Sequence, residues 1–227
     1  MIKLNTLNIC SSNYIFSLYL VKENTLIKFK FMRDEIFKIK VEDHVWIDRI
    51  IFGKLTEPAI DFFFNNGFIP NHLTTLSFIF QLLAGSNLIQ GFKYSFSFFY
   101  FLGYYFDCID GPMARKYNMV TKFGDWYDHF TDVTCFILTN YIFVLKLHIY
   151  DYPLLVSAYI TMFLGLIGYA GSQERIYNEG LEKKDISMTL YLTTFFIKSG
   201  EDGMKYLKPF CYTHFVLFTC LIPLFIS

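Results

Sequence analysis

The stretch DCIDGPMAR (residues 107–115), followed after eight residues by GDWYDHFTD (residues 124–132), determines how the rest of the chain is interpreted. It lies between two of the most apolar parts of the sequence, where an ionised carboxylate costs free energy unless a cation compensates it. Four of its acids are spaced at helical intervals: Asp107, Asp110, Asp128 and Asp132. The neighbouring basic residues are too few to neutralise them, so divalent cations held by carboxylate oxygens are the simplest compensation.

Helical spacing predicts that the four acids form one site. Asp107 and Asp110 share one face of a helix, and Asp128 and Asp132 share a face of the next. A short polar run (residues 116–122) joins the two helices, which we therefore expect to be antiparallel neighbours. At the rise of an α-helix, Asp107 lies about 12 Å before Arg115 and Asp132 about 12 Å past Gly124, so the two pairs are expected at a similar depth. A cation-filled pocket of this kind suits a substrate that contains a pyrophosphate.

The same stretch resembles the signature of the CDP-alcohol phosphotransferase family, D-x2-D-G-x2-A-R-x8-G-x3-D-x3-D. Every fixed position is matched at its spacing, which is far more specific than a short motif. The matching residues are Asp107, Asp110, Gly111, Ala114, Arg115, Gly124, Asp128 and Asp132. The resemblance implies transfer of a phospho-alcohol or phosphatidyl group from a CDP-linked donor to an alcohol acceptor, with release of CMP.

The resemblance also implies the roles of the acids. Asp107, Asp110 and Asp128 are expected to be the principal ligands of two Mg²⁺ or Mn²⁺ ions. Asp132 is the expected base for the hydroxyl proton of the acceptor, with a share in metal binding. A carboxylate is a weak base, so Asp132 needs desolvation or neighbouring acids to serve in that role.

The remaining signature residues are expected at the nucleotide. A ligand can approach the backbone at Gly111 and Gly124 because glycine has no Cβ, and Arg115 can pair with a phosphate or an aspartate. A Pro-Asn-x-x-Thr helix start, similar to one in the family, adds two residues. The expected CDP-binding set is Gly111, Ala114, Arg115, Gly124, Asn71 and Thr74.

Two polar residues nearby are interpreted as lying outside the ligand set. Asp125 suits the first turn of a helix, where the helix dipole favours an acid. His129 is interpreted as a polar wall of the cleft.

Composition indicates a membrane protein. Of the 227 residues, 54% are hydrophobic, with 28 Phe and 17 Tyr, as several lipid-facing helices require. The formal net charge of zero gives no basis for nucleic-acid binding. The five cysteines are scattered without metal-site or disulfide spacing, so we expect reduced, structural thiols. No signal-peptide pattern opens the chain, so insertion is expected to depend on internal helices.

Two domains are predicted. Residues 1–45 alternate apolar and lysine positions and read as a small, β-rich cytosolic appendage, an antiparallel meander. Residues 46–227 form the membrane domain, which begins with an amphipathic helix from Trp46 to Phe64 lying in the membrane interface.

The expected fold is an all-α, multi-pass membrane protein with about six transmembrane helices after that interfacial helix. The fifth span is short enough to be partly interfacial. The distribution of Lys and Arg places both termini and the aspartates on the cytoplasmic side. The predicted spans are residues 70–92, 94–115, 121–145, 152–171, 186–197 and 209–225.

The sequence is compatible with several functions. The Asp128-His129 pair looks like that of the choline and ethanolamine phosphotransferases, which use a CDP-aminoalcohol and diacylglycerol. Phosphatidylinositol or phosphatidylglycerophosphate synthesis from CDP-diacylglycerol is the alternative within the family, whose members commonly pair as homodimers. Outside the family, the rivals are an intramembrane prenyltransferase, which would release pyrophosphate, and a non-catalytic transporter or scaffold.

Overall fold

The computed structural model describes Ile47, residues 49–179 and residues 206–226. Every element in these ranges is a helix, so the predicted all-α class is confirmed for this part of the chain. The predicted β-meander (residues 1–45) and the fifth predicted span (residues 186–197) lie outside the described residues.

A π-helical segment and six α-helices make up the described chain, together with two 3₁₀ turns. In order they are the π-helical segment Arg49–Thr56, α1 (Glu57–Asn65), α2 (Pro70–Ile89), α3 (Lys93–Lys116), α4 (Lys122–Leu147), the 3₁₀ turn Ile149–Asp151, α5 (Pro153–Glu179), the 3₁₀ turn Lys208–Phe210 and α6 (Tyr212–Phe225).

Local sequence explains where the helices begin and end. Pro58 lies in the first turn of α1 and Pro70 opens α2, positions where the missing N–H of proline costs no helical hydrogen bond. The Thr121 hydroxyl caps α4 by accepting a hydrogen bond from the Gly124 N–H at 3.0 Å. Past the end of α3, Asn118 takes a left-handed conformation with a φ of 54°, a common way to stop a helix.

Helix α2 is the centre of the site end of the bundle. It packs against both α3 and α4, whereas α3 and α4 have no extended backbone contact with each other along the described chain. They were predicted to be neighbours, and they are joined by a short loop, but α2 bridges them.

Two apolar clusters hold the helices together. The smaller one joins α1, α2 and α3 through four side chains that are at most 1% exposed: Ile60, Leu73, Ile109 and Met113. The larger one lies further along the bundle and packs α3 against α4, α5 and α6. The four cysteines of the described chain are buried, as expected of structural thiols.

Three described helices are long and apolar enough to cross a membrane: Pro70–Ile89, Lys122–Leu147 and Pro153–Ser172. Helix α6 is apolar but has only 14 residues. Helix α3 has 24 residues yet is not among the apolar candidates, because it carries the aspartates and a basic end. The count of six spans therefore stays a prediction.

Candidate metal centre

Three of the predicted acids meet between α3 and α4. Asp107, Asp110 and Asp128 each offer one carboxylate oxygen, and these oxygens all lie within 4.8 Å of one another. Asp110 is buried at 5% exposure, while Asp107 and Asp128 are half-buried. The spacing suits oxygen ligands around a divalent cation.

Asp132 lies beside this group, one helical turn beyond Asp128. Its carboxyl group lies close to those of Asp107 and Asp128. Unlike the other three acids, Asp132 is exposed. Asp132 therefore lies next to the three converging acids without belonging to their group of oxygens.

Asp110 is held in place from two sides. The Thr74 hydroxyl donates to Asp110 Oδ2 at 2.5 Å, and the Gly111 N–H donates to Asp110 Oδ1. Hydrogen bonds that fix a carboxylate in this way orient it as a ligand. The sequence predicted Thr74 at the nucleotide; in the structure it supports a candidate metal ligand.

Asp128 supplies the observation that tests whether a cation fits. Its Oδ1 atom is buried and has no hydrogen-bond partner in the described part of the chain. A buried carboxylate oxygen without a partner is costly, and a coordinated cation removes that cost. The residues present therefore fit a divalent ion.

The second turn of α2 also contacts α4. The hydroxyl groups of Thr75 and Tyr127 lie 3.1 Å apart, and the residues beside them are Thr74 and Asp128. This pair could not be predicted from the sequence, because neither residue belongs to the signature and only the rotation of the two helices brings them together.

Gly124 allows α2 to approach α4 closely. A Cβ at Gly124 would lie 3.0 Å from Asn71 Oδ1 and 3.0 Å from the Thr121 hydroxyl. The structure therefore brings the two predicted CDP-binding residues Asn71 and Gly124 together. A larger residue at position 124 would displace the Asn71 amide.

Arg115 covers the face of Gly111 that was expected to be open to a ligand. A Cβ at Gly111 would lie 3.3 Å from Arg115 Nη1. Arg115 and Lys116 form the basic last turn of α3, where the helix dipole stabilises positive charge. Ala114 is half-buried in the same turn, and its carbonyl accepts from the Met119 N–H at 2.7 Å.

Asp125 and His129 lie outside the three converging acids. The exposed Asp125 is in the first turn of α4. His129 Nδ1 lies 2.8 Å from the carbonyl oxygen of Asp125, so the ring is held along its own helix. Neither residue joins the group of oxygens described above.

Comparison with known proteins identifies the family. The model of the CDP-alcohol phosphatidyltransferase family matches residues 67–220, well over half of the chain and all of the acids described above. Neither a curated protein nor a solved structure matches. Members of the family are transferases of phosphate-containing groups in phospholipid synthesis and generally use a divalent metal. The resemblance drawn from the signature is confirmed, and the chain belongs to the CDP-alcohol phosphatidyltransferase family.

Proposed function

We propose that this chain transfers a phosphate-linked group from a CDP-linked donor to an alcohol acceptor at the four-aspartate cluster, with release of CMP. One observation carries the proposal. Carboxylate oxygens of Asp107, Asp110 and Asp128 converge within 4.8 Å between two helices of a chain that belongs to this family.

The acids would hold two Mg²⁺ or Mn²⁺ ions, with Asp107, Asp110 and Asp128 as principal ligands and Asp132 sharing. Bound divalent cations would neutralise the charge of the diphosphate in the donor. The buried, unpartnered Oδ1 of Asp128 supports this assignment. The 2.5 Å hydrogen bond from Thr74 would keep the Asp110 carboxylate oriented before the ions arrive.

Arg115 and Asp132 would act on the two reactants. The Arg115 guanidinium, which lies over Gly111 beside Asp110, would pair with a donor phosphate. Asp132 would take the proton of the acceptor hydroxyl as its oxygen attacks phosphorus and the bond to the CMP oxygen breaks. The Asp107 and Asp128 carboxyls beside Asp132 support this role, since a carboxylate needs neighbouring acids or desolvation to act as a base.

Asn71 and Gly124 would complete the nucleotide site, together with Gly111 and Ala114. The contact between Asn71 and the Gly124 backbone leaves the Asn71 amide close to the start of α4. An amide there can hydrogen-bond a base or ribose. Thr74 would serve the site through Asp110.

The proposed substrate is based on the Asp128-His129 pair, which resembles that of the choline and ethanolamine phosphotransferases. We assign CDP-choline or CDP-ethanolamine as the donor and diacylglycerol as the acceptor. Phosphatidylinositol or phosphatidylglycerophosphate synthesis from CDP-diacylglycerol is the alternative. The enzyme would lie in the membrane with the aspartates toward the cytoplasm, an orientation supported by the basic residues of the loop between α3 and α4.

A donor screen tests the proposal. Purified protein in liposomes is given CDP-choline, CDP-ethanolamine or CDP-diacylglycerol with Mg²⁺ or Mn²⁺ and a panel of acceptors that includes diacylglycerol, inositol and glycerol 3-phosphate. We expect CMP and one new phospholipid with a single donor and acceptor pair. Release of pyrophosphate from a prenyl diphosphate would instead identify a prenyltransferase. If no donor and acceptor pair gave a product, the proposal would be wrong and a non-catalytic transporter or scaffold would be favoured.

A further inference from the structure

Asp61 of α1 binds the end of α3 next to the candidate site. The Lys116 ammonium group donates to Asp61 Oδ1, and the Tyr117 hydroxyl donates to the same oxygen at 2.7 Å. Lys116 and Tyr117 follow Arg115 directly in the chain. One acid outside the family signature thus holds the two residues that come after the signature arginine.

Further contacts fix α1 and the π-helical segment before it against α3. The rings of Phe64 and Tyr117 stack with centroids 3.4 Å apart, and the Tyr105 hydroxyl donates to the Leu55 carbonyl at 3.0 Å. Beneath them lies the buried cluster that contains Ile60 and Ile109. Because α1 cannot slide along α3 without breaking these contacts, Asp61 has a fixed position from which to act.

The last turn of α3 connects the residues that Asp61 binds to Arg115. The Tyr117 N–H donates to the Met113 carbonyl at 3.1 Å, which keeps the turn helical up to its end. The Arg115 guanidinium lies against Gly111, directly after Asp110. A small rotation of this turn would therefore carry the guanidinium away from the aspartates.

The ion pair itself adds little to folding. The side chains of Lys116 and Asp61 are 29% and 49% exposed, and pairs of this kind contribute little to stability because solvent screens them. The hydrogen bonds from Lys116 and then Tyr117 lower the pKa of Asp61 from its usual value of 3.8, so the acceptor stays charged at neutral pH. Asp61 is therefore a charged acceptor in a fixed place, which suits it to hold Lys116 and Tyr117 in position.

We propose that Asp61 is a positioning residue, which holds Lys116 and Tyr117 so that the last turn of α3 keeps the Arg115 guanidinium where the donor phosphates bind. The inference rests on the proposed function and extends it to a residue outside the signature. It also gives the amphipathic helix α1 a part in binding the donor.

Steady-state kinetics test this role. We expect Asp61→Asn to raise the KM for the CDP donor about tenfold with little change in kcat, the pattern of a lost binding contact. Asp61→Glu, which keeps the carboxylate, should recover much of the affinity. Asp151→Asn, a matched change of an exposed aspartate at the other end of the bundle, should behave as wild type.

A double-mutant cycle tests whether Asp61 acts through Arg115. In an Arg115→Met background, Asp61→Asn should cause no further rise in KM, because the group that it positions is gone. Binding of CDP, measured by calorimetry in the presence of Mn²⁺, should weaken in Asp61→Asn by the same factor as the KM rises. Retention of Mn²⁺ by Asp61→Asn should be unchanged.

The outcomes separate this inference from the proposed function. If wild-type protein transfers from no CDP donor and binds no CDP, both fail together. If wild-type protein is active and Asp61→Asn keeps its KM and its CDP affinity, only the role of Asp61 is overturned. A variant that loses kcat and thermal stability at unchanged KM would show a structural role instead, and this also overturns the inference.

Discussion

At the scale of single residues, Asp110 and Asp128 are held differently although both belong to the converging acids. Asp110 accepts hydrogen bonds at both oxygens, from Thr74 and from the Gly111 N–H. Asp128 keeps one buried oxygen without a hydrogen-bond partner among the described residues. Asp110 is therefore oriented in advance, and Asp128 gains most from a bound cation.

Asp128→Asn and Asp132→Asn should each abolish turnover while the protein still inserts into membranes. The first change weakens a candidate metal ligand and the second removes the candidate base. Transfer of labelled donor and carbonate-resistant membrane association are the two measurements. Asp125→Asn, on the exposed first turn of the same helix, is the matched control and should retain activity. Normal activity in both site variants would remove the site assignment.

Thr74→Val should raise the Mg²⁺ or Mn²⁺ concentration for half-maximal activity by about tenfold, as is usual when a residue that orients a metal ligand is lost. The variant removes the donor at 2.5 Å from Asp110 Oδ2 and nearly preserves side-chain volume. Thr74→Ser keeps the hydroxyl and should keep the metal dependence. If valine and serine behaved alike, the hydroxyl would have no role in metal binding.

At the scale of elements, α2 is the scaffold for both aspartate-bearing helices. Its adjacent hydroxyls reach α3 through Asp110 and α4 through Tyr127. Asn71, one turn earlier, lies against Gly124 at the start of α4. Three side chains of a short stretch thus connect α2 to both aspartate-bearing helices at the site end.

Removing one partner of the pair formed by Thr75 and Tyr127 should destabilise the packing of α2 on α4 by about 1 kcal/mol, the usual effect of losing a partly buried hydrogen bond. Thr75→Val and Tyr127→Phe are the variants, and thermal unfolding in detergent is the measurement. The double variant should be no less stable than the worse single variant. Fully additive losses would mean that the two hydroxyls, 3.1 Å apart, do not interact.

The docking of α1 on α3 should depend on pH in acid and in strong base, and not near neutrality. The pKa of Asp61 is lowered from 3.8, first by its hydrogen bond from Lys116, so its contribution is present above 3.8 and is lost as the pH falls through the lowered value. Burial, and then Asp61, raise the pKa of Tyr117 to about 12, so its contribution is full below its ordinary value of 10.0 and is lost as the pH rises toward 12.

The measurement is the difference in melting temperature between wild type and Asp61→Asn as a function of pH. We expect a constant difference from about pH 5 to pH 9, which shrinks in stronger acid as Asp61 takes up a proton. A difference that persisted in strong acid would contradict a contribution from the charged form of Asp61.

At the scale of the whole molecule, the signature sufficed to predict the acids that converge, because its spacing of three and four fixes which side chains share a helix face. Pro70 likewise marked the start of α2. The sequence could not predict that α2 bridges α3 and α4, nor the contact of Thr75 with Tyr127. Both depend on helix rotation, which an apolar helix without a clear polar face does not reveal.

Two further features escaped prediction for related reasons. Arg115 turns back over Gly111, and a flexible side chain of this length has many rotamers that sequence does not distinguish. Asp61 lies within the predicted amphipathic helix from Trp46 to Phe64, but its partners are 55 and 56 residues away in the chain. Contacts at such separation follow from packing, not from local pattern.

Removal of divalent metal should abolish transfer and also lower the melting temperature of the membrane-embedded protein. The acids between α3 and α4 repel one another unless a cation compensates them, and a ligand that binds only the folded state stabilises it. Chelation followed by addition of Mg²⁺ or Mn²⁺, with light scattering or fluorescence to follow unfolding, is the measurement. Asp128→Asn should show a much smaller thermal response, and an equal response in that variant would place the ions elsewhere.

The consecutive threonines of α2 serve different partners, and this has a consequence for how the helix can change. Neighbouring side chains on a helix point about 100° apart, so a twist of α2 that improved one contact would misalign the other. The contacts of Thr74 and Thr75 thus fix the rotation of α2 about its own axis. An extra residue inserted between Pro70 and Thr74 would disturb the contacts of α2 with both α3 and α4. One added near Ile89 would leave the contacts of Thr74 and Thr75 in place.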